Sequence, residues 1–380
     1  MRTAERAREL PESGIRKFFE LAEARDDVIS LGVGEPDFSA PWAARNAAIG
    51  GLERGRTSYT ANRGTAELRE AIATRHEGYD QSYDPGEEVL VTTGASEAVD
   101  LAFRTLVDPG DTVAIHEPSY ISYAPGVELA GGEPLSVPTR AADDFALTPE
   151  CLEAAGAGET DLLVLCYPNN PTGATMTDAQ LAEVAAFCRE HDLRVVADEI
   201  YSALTYGADH ASIATQPGMR ERTVVVNGFS KAYAMTGLRL GYALGPADAI
   251  DAMNRIHQYT MLSAPTTAQI AALEALRSCD DEVREMVEEY NRRRRLVVSR
   301  FNAMGLDTFE PGGAFYAFPE CGGDDEAFAE ELLEAEGVAV VPGSVFGAGG
   351  EGHLRVSYAT SMRELKEATD RIARFLEERD

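Results

Sequence analysis

Six short apolar runs, VLVTT, DTVAIH, LLVLCY, LRVVADE, TVVVNG and GYALG, recur through the middle of the chain and limit what it can fold into. They are rich in Val, Ile and Leu, and several are too uniformly apolar to leave one face in water. Such runs read as strands covered on both sides, as in a parallel sheet. Helical patterns lie between them. In TDAQLAEVAAFCREHDL, Thr177 and Gln180 have capping-box spacing, and Leu181, Val184, Ala185 and Cys188 fall on one face. Alternating strands and helices of this kind predict an α/β fold, a large domain with a mostly parallel doubly wound sheet over residues 45–280.

The rest of the chain follows another pattern. Residues 281–300 read as one long charged helix, whose arginine run is expected to be a solvated face paired with upstream glutamates. Short strand candidates follow, AFYAF, VAVVPG and HLRVSY, and then a final amphipathic helix. Residues 281–380, with 1–44, are therefore expected to form a smaller α+β domain.

Charge and cysteine usage narrow the setting. A formal charge of −30 argues against nucleic acid or an anionic membrane as partner. Combined with scarce lysine, it suggests a halophilic cytoplasm. The five cysteines, Cys151, Cys166, Cys188, Cys279 and Cys321, show no CxxC pair and read as free thiols of a reducing compartment. The opening MRTAERARELPESG lacks the apolar segment of a signal peptide. No run approaches the roughly 18 apolar residues of a membrane span, so a cytoplasmic location is expected.

Lysine usage points to the chemistry. There are three lysines, Lys17, Lys231 and Lys366, against 31 arginines. Lys17 and Lys366 lie in charged, helix-like surroundings, whereas Lys231 follows a strand and a glycine. Three strand ends carry unusual residues: LLVLCY runs into PNNPTG with Asn170, LRVVADE ends at Asp198 before Tyr201, and TVVVNG leads to Ser230 and Lys231. In open α/β sheets, ligands bind beyond the carboxyl ends of strands, so an amide, a carboxylate with a phenol, and a lysine could meet in one crevice. The alternative is a turn asparagine, a capping aspartate and a surface lysine. A fourth strand reaches Gly94 and a helix with Val99, Ala102, Phe103 and Leu106 on one face. The amides of Ala95 and Ser96 open that helix, where an anion such as phosphate is favoured. Neither GxxxxGK[ST] nor a GxGxxG after the first strand is present. The six histidines (76, 116, 191, 210, 257, 353) have no metal-ligand spacing, and helix-end or loop roles are expected for them.

GFSKAYAMTGLRLG, with PNNPTG and DEIY upstream, resembles the pyridoxal-phosphate-dependent aminotransferases of fold type I, the aspartate-aminotransferase-like class I/II family. The resemblance spans nearly the whole chain, since LGVGEPDF, TSYTANRG, TTGASEA, EPSYISY, GGAFYAF, VAVVPGSVFG and LRVSYAT stand in the family's order. It implies that Lys231 forms an imine with the aldehyde of pyridoxal 5'-phosphate and acts as general base. Asp198 would face the pyridine nitrogen; Tyr201 and Asn170 would bond the ring's phenolate oxygen. Ser230, Arg239 and the amides of Ala95 and Ser96 would hold the phosphate, and Tyr120 would stack on the ring. Tyr59 would reach the phosphate of a neighbouring subunit, making the protein a homodimer with shared sites. Arg355 would clamp the substrate carboxylate, with Gly34 and Asn170 beside it.

The residue types suit that chemistry. An amine with a lowered pKa can lose its proton, which arginine cannot, and a planar guanidinium fork matches a carboxylate, which lysine cannot reproduce. The implied reaction is ping-pong transfer of an α-amino group from an amino acid to a 2-oxo acid. Within the same fold, β-lyases, cyclopropane-forming synthases and decarboxylases are the alternative. A PLP-binding DNA regulator is disfavoured, because no winged-helix segment is present and the charge opposes DNA. The substrate pair stays open. Some aspartate-preferring relatives carry lysine in the turn where this chain has Ser96.

Overall fold

After a two-residue strand β1 (Ile29–Ser30), the six apolar runs become β2 (Val89–Thr92), β3 (Thr112–Glu117), β5 (Leu162–Cys166), β6 (Arg194–Asp198), β7 (Thr223–Gly228) and β8 (Gly241–Leu244), and β4 (Glu133–Pro138) follows β3. This computed structural model describes residues 3–4, 7–8, 10–11, 14–15 and 27–379; Lys17, with its helix-like surroundings, lies outside the described residues. The seven strands form one sheet in the order β2-β8-β7-β6-β5-β3-β4. Pairings among β4, β3, β5, β6 and β7 are parallel, while β8 runs antiparallel to both β7 and β2. The strand missed in the sequence, β4, lies at the sheet edge, where its alternating exposure and two prolines hide it from an apolar-run reading.

Both faces of the sheet are covered, as the uniform runs require. Val89, Leu163, Leu165, Val195 and Val225 point to one core, under the helices Ala66–Glu77, Asp178–Glu190 and Thr266–Ser278. Leu90, Val113, Ile115, Val164, Val196 and Val224 point to the other, under Ala95–Leu106 and Tyr123–Ala130. The capping box at Thr177 and Gln180 is present, and Leu181, Val184, Ala185 and Cys188 are buried.

Beyond the sheet, β9 (Tyr316–Ala317), β11 (Val341–Pro342) and β12 (Leu354–Ser357) form a three-stranded antiparallel sheet in the order β11-β12-β9. Between β9 and β11, β10 (Val338–Ala339) pairs in parallel with β1, joining the N-terminal side of the chain to its C-terminal part. A separate apolar cluster, including Tyr290, Phe301, Phe328, Val356 and Leu365, packs these strands against the helices Asp280–Ala303, Asp325–Glu336 and Met362–Arg379.

Two expectations change in detail. In the helix Asp280–Ala303, Arg292 and Arg293 do pair with Glu289, at 2.6 and 2.9 Å. Arg293 and Arg294 are nevertheless buried: Arg293 also reaches Asp37 at 2.8 Å, and Arg294 reaches Glu310 at 2.6 Å and the Pro311 carbonyl at 3.0 Å. These two arginines are packing elements, because Arg buries its stem and satisfies its fork where it finds several acceptors. His116 sits within β3, fully buried, with Nε2 accepting the Cys166 amide at 3.0 Å, so it is a core histidine outside any loop or helix end. All five cysteines are free, and among the described residues no helix is long and apolar enough to cross a membrane.

Candidate active site

The carboxyl ends of β5, β6 and β7 open into a cavity of about 960 Å³, bordered on its far side by β12 and the loop before it. Gly34, Ala95, Ser96, Tyr120, Asn170, Asp198, Tyr201, Ser230, Lys231, Arg239 and Arg355 all line it. Only Tyr59 of the sequence-predicted residues stands elsewhere, 80% exposed.

The PNNPTG turn divides its two asparagines. Asn169 closes the turn, its side-chain oxygen accepting from the Thr172 amide at 3.0 Å and its amide donating to the Ala174 carbonyl at 2.8 Å. Asn170 is thereby free to face β12, and its Oδ1 accepts from Arg355 Nη1 at 3.0 Å. At the end of β6, buried Asp198 accepts the Tyr123 hydroxyl at 2.8 Å on Oδ2 and the Ile200 amide at 3.1 Å on Oδ1. Burial pushes its carboxyl up to about 6, with those two hydrogen bonds opposing. The Tyr201 hydroxyl meets the Tyr316 hydroxyl at 2.9 Å.

Lys231 follows β7 and donates from Nζ to the Gly34 carbonyl. Nζ stands 5.8 Å from the Tyr201 ring centre and 5.6 Å from that of Phe315. Burial first, then the charge of Arg355, pull its ammonium down to about 8, against Glu35 and Asp198. At physiological pH a usable fraction of this amine is neutral.

An anion-binding corner lies beside it. The helix Ala95–Leu106 starts after Gly94 with no side-chain cap, so its first-turn amides and dipole are available to an anion. Close packing keeps this corner in shape. Gly94 has φ +84°, and a Cβ there would lie 2.8 Å from the Arg239 guanidinium. A Cβ on Gly241 would lie 2.3 Å from the Ala95 nitrogen. Both positions therefore exclude any side chain.

Arg355 closes the opposite wall. It is buried; Nη2 donates to the Gly32 carbonyl at 2.5 Å, and its Nε has no partner. Its guanidinium carbon lies over the rings of Tyr316 and Phe346, 4.9 and 4.8 Å from their centroids. No carboxylate pairs with it among the described residues. A buried cation without a counter-charge is costly unless a ligand supplies one.

Three site residues escaped the sequence reading: Tyr123, Tyr316 and Phe346. Tyr123 stands three residues after Tyr120 in EPSYISY, and this spacing was its available signal. Tyr316 opens a strand of two residues and Phe346 ends a single short turn, elements too short for periodicity to mark them.

Residues 26–372 match the family model "Aminotransferase class I and II". YugH of Bacillus subtilis is 52% identical over 368 residues, covering 96% of this chain and 95% of its own. The aspartate aminotransferase of Pyrococcus abyssi is 44% identical, covering 97% and 96%. Among solved structures, the aromatic aminotransferase of Pyrococcus horikoshii superposes with a TM-score of 0.90 at 44% identity, over 95% of this chain and 99% of that one.

Proposed function

Since this chain belongs to the aminotransferase class I and II family and is a pyridoxal-phosphate-dependent aminotransferase, we propose which of its residues carry the reaction. The observation that carries the assignment is the buried, uncompensated Arg355 facing a lysine whose amine is held near neutrality. One group calls for a carboxylate, and the other is suited to carbonyl and proton chemistry.

The donor set fits the cofactor. A phosphate matches the free amides of Ala95 and Ser96 together with Ser230 and Arg239, in a corner where a Cβ on Gly94 or Gly241 would intrude. A protonated ring nitrogen matches Asp198, which is ionised above about pH 6 and fixed by Tyr123 and Ile200. Tyr201 and Asn170 suit the ring's phenolate oxygen, Tyr120 suits its face, and Lys231 suits covalent attachment as a Schiff base. When bound, the cofactor supplies an aldehyde that carries the amino group and a ring that draws electrons from the substrate's Cα.

The protein's own part follows from these positions. Arg355 binds the substrate α-carboxylate through its fork, and Asn170, bonded to Nη1, fixes the plane of that fork. Packed against the Tyr316 and Phe346 rings and bonded to Gly32 and Asn170, the guanidinium is oriented before substrate arrives. Gly34 must lack a side chain, because a Cβ there would stand 2.8 Å from the Tyr316 hydroxyl. Lys231 Nζ, once free, accepts the Cα proton and returns it on the other side of the transfer, a role that suits a pKa near 8. Arg355→Lys is expected to raise KM for amino and oxo acids alike by about 100-fold, since a point charge cannot reproduce the two-pronged contact. Steady-state kinetics with both substrates tests this, and unchanged KM values would remove Arg355 from the carboxylate site.

The domain division at residues 45–280 against 1–44 with 281–380 belongs to the same reading, with the site between the two units. So does a homodimer. Trp42, Ile49, Leu52, Tyr59, Tyr259 and Met261 are large apolar side chains left exposed on one chain. The Asn62 side chain bonds the Leu262 carbonyl at 2.6 Å, which brings the Tyr59 and Met261 loops together. A patch of this kind marks an interaction surface, and Tyr59 on it would reach the partner's phosphate corner. With a charge of −30, self-repulsion favours a halophilic cytoplasm. Sedimentation equilibrium from dilute to molar KCl is expected to show a dimer that weakens as salt falls; a monomer throughout, or indifference to salt, would count against the respective part.

A further inference from the structure

The loop that carries Phe346 to Arg355 is itself held from across the cavity. Residues 343–350, GSVFGAGG, have four glycines and little side-chain mass of their own to pack. Three contacts fasten the loop to the end of β3. Glu117 Oε2 accepts the Ala348 amide at 2.8 Å and also the Ser136 hydroxyl from β4. The Ser119 amide donates to the Phe346 carbonyl at 3.0 Å. Finally, the Glu117 carboxyl group occupies the space over Gly347, where a Cβ would lie 2.3 Å from Cδ. Gly347 has φ +100°, so the position suits glycine twice over.

No cation pairs with Glu117 among the described residues, and its contacts are neutral donors. A carboxylate kept half-buried in that way is oriented for hydrogen bonding, and the charge makes each bond stronger than a neutral pair. It connects the parallel edge of the large sheet to the loop packed on the β12 arginine. Phe346 lies between the two ends of this link, its carbonyl tied to Ser119 and its ring 4.8 Å from the Arg355 guanidinium carbon.

We propose that Glu117 is a positioning residue for substrate binding: it fastens the glycine loop 343–350 to the end of β3 and so holds the Phe346 ring over Arg355. The inference rests on the reading of Arg355 as the substrate carboxylate site. Glu117 itself touches neither the guanidinium nor the reacting atoms. Its effect is on how often the fork stands ready.

Glu117→Ala is therefore expected to raise KM for amino acid and oxo acid by about tenfold, the scale of one lost charge-assisted hydrogen bond, while kcat and cofactor absorbance stay near wild type. Glu117→Gln keeps an oxygen able to accept from Ala348 and Ser136, and is expected to restore KM to within about threefold. In an Arg355→Ala background, Glu117→Ala should add nothing further to KM, because the two changes act on one contact. A kcat loss in place of a KM rise, or an undiminished effect in the Arg355→Ala background, would overturn the proposal. If Arg355→Ala itself leaves KM unchanged, the carboxylate assignment fails first, and that outcome is distinct from failure of Glu117 alone. Thermal melting of each variant separates these results from misfolding: a Glu117→Gln protein that melts like wild type yet keeps the alanine-like KM also overturns it.

Discussion

Lys231→Arg is expected to leave a folded protein that retains its positive charge and loses transamination by at least about 10⁴-fold, the upper range for removal of a catalytic base. Arginine is similar in reach and remains charged at all accessible pH, so the substitution isolates the one property it lacks, an amine that can shed its proton. The wild-type amine stands near 8 because burial and Arg355 disfavour its charge. In cofactor-free protein, labelling of Lys231 by an amine-selective reagent should accordingly rise with a midpoint near pH 8, and the signal from this peptide should vanish in the variant. Borohydride reduction of cofactor-loaded wild type should fix the cofactor's mass on the peptide containing Lys231. Activity within tenfold of wild type, or a fixed adduct elsewhere, would remove Lys231 from its assigned role. Lys231→Met gives a folding control whose sign is opposite to activity. At pH 7, below the lowered value, the ammonium is charged while partly desolvated in the fold, so its replacement should leave the cofactor-free melting temperature equal or higher.

The second large effect is expected at Asp198. Asp198→Asn keeps an oxygen for the Ile200 amide, and the Tyr123 hydroxyl can turn from donor to acceptor, so the local hydrogen bonds persist. What disappears is a buried negative charge directed at the cofactor ring. A fall of about 10³-fold in kcat is expected, the order seen when a single preorganised electrostatic contact is removed. The pH dependence supplies an independent readout. With the carboxyl raised to about 6, Asp198 is ionised above that value and takes up a proton as pH falls through it. Cofactor retention by wild type should weaken from pH 7 to pH 5, and the asparagine variant should lack this step. Equal retention profiles for the two proteins would argue that Asp198 does not face a cationic ring nitrogen.

The sequence made the frame of this site readable and left its bracing obscure, for a physical reason. Lys231, Asp198 and Asn170 follow apolar strands, and strand ends are visible because β-branched runs stop there. The corner at Gly94 and Ala95 was readable because a glycine before an amphipathic helix marks a helix start. Tyr123, Phe346 and Glu117 act through contacts across the fold, between segments 75 to 231 positions apart, and no local pattern encodes such pairings. Arg293 and Arg294 were misjudged for a related reason: periodicity puts them on a charged helix, while their burial depends on Asp37 and Glu310 arriving from elsewhere. Strand β4 was missed because its two prolines and exposed positions leave only Leu135 and Val137 facing the core.

One detail of the sheet has a mechanical meaning. Because β8 turns back antiparallel to β7, residues 229–240 leave and re-enter the sheet at the same end of these two strands, and both Lys231 and Arg239 ride on that single connection. Its two ends are held by paired strands, so the covalent and ionic anchors share one connection. Arg355 sits instead on β12, in the three-stranded sheet, and is tied to the large sheet's side by Asn170 and by the glycine loop at Glu117, among other contacts. The spacing between lysine and phosphate corner is therefore set within one sheet, independently of the strand that carries the carboxylate-binding arginine.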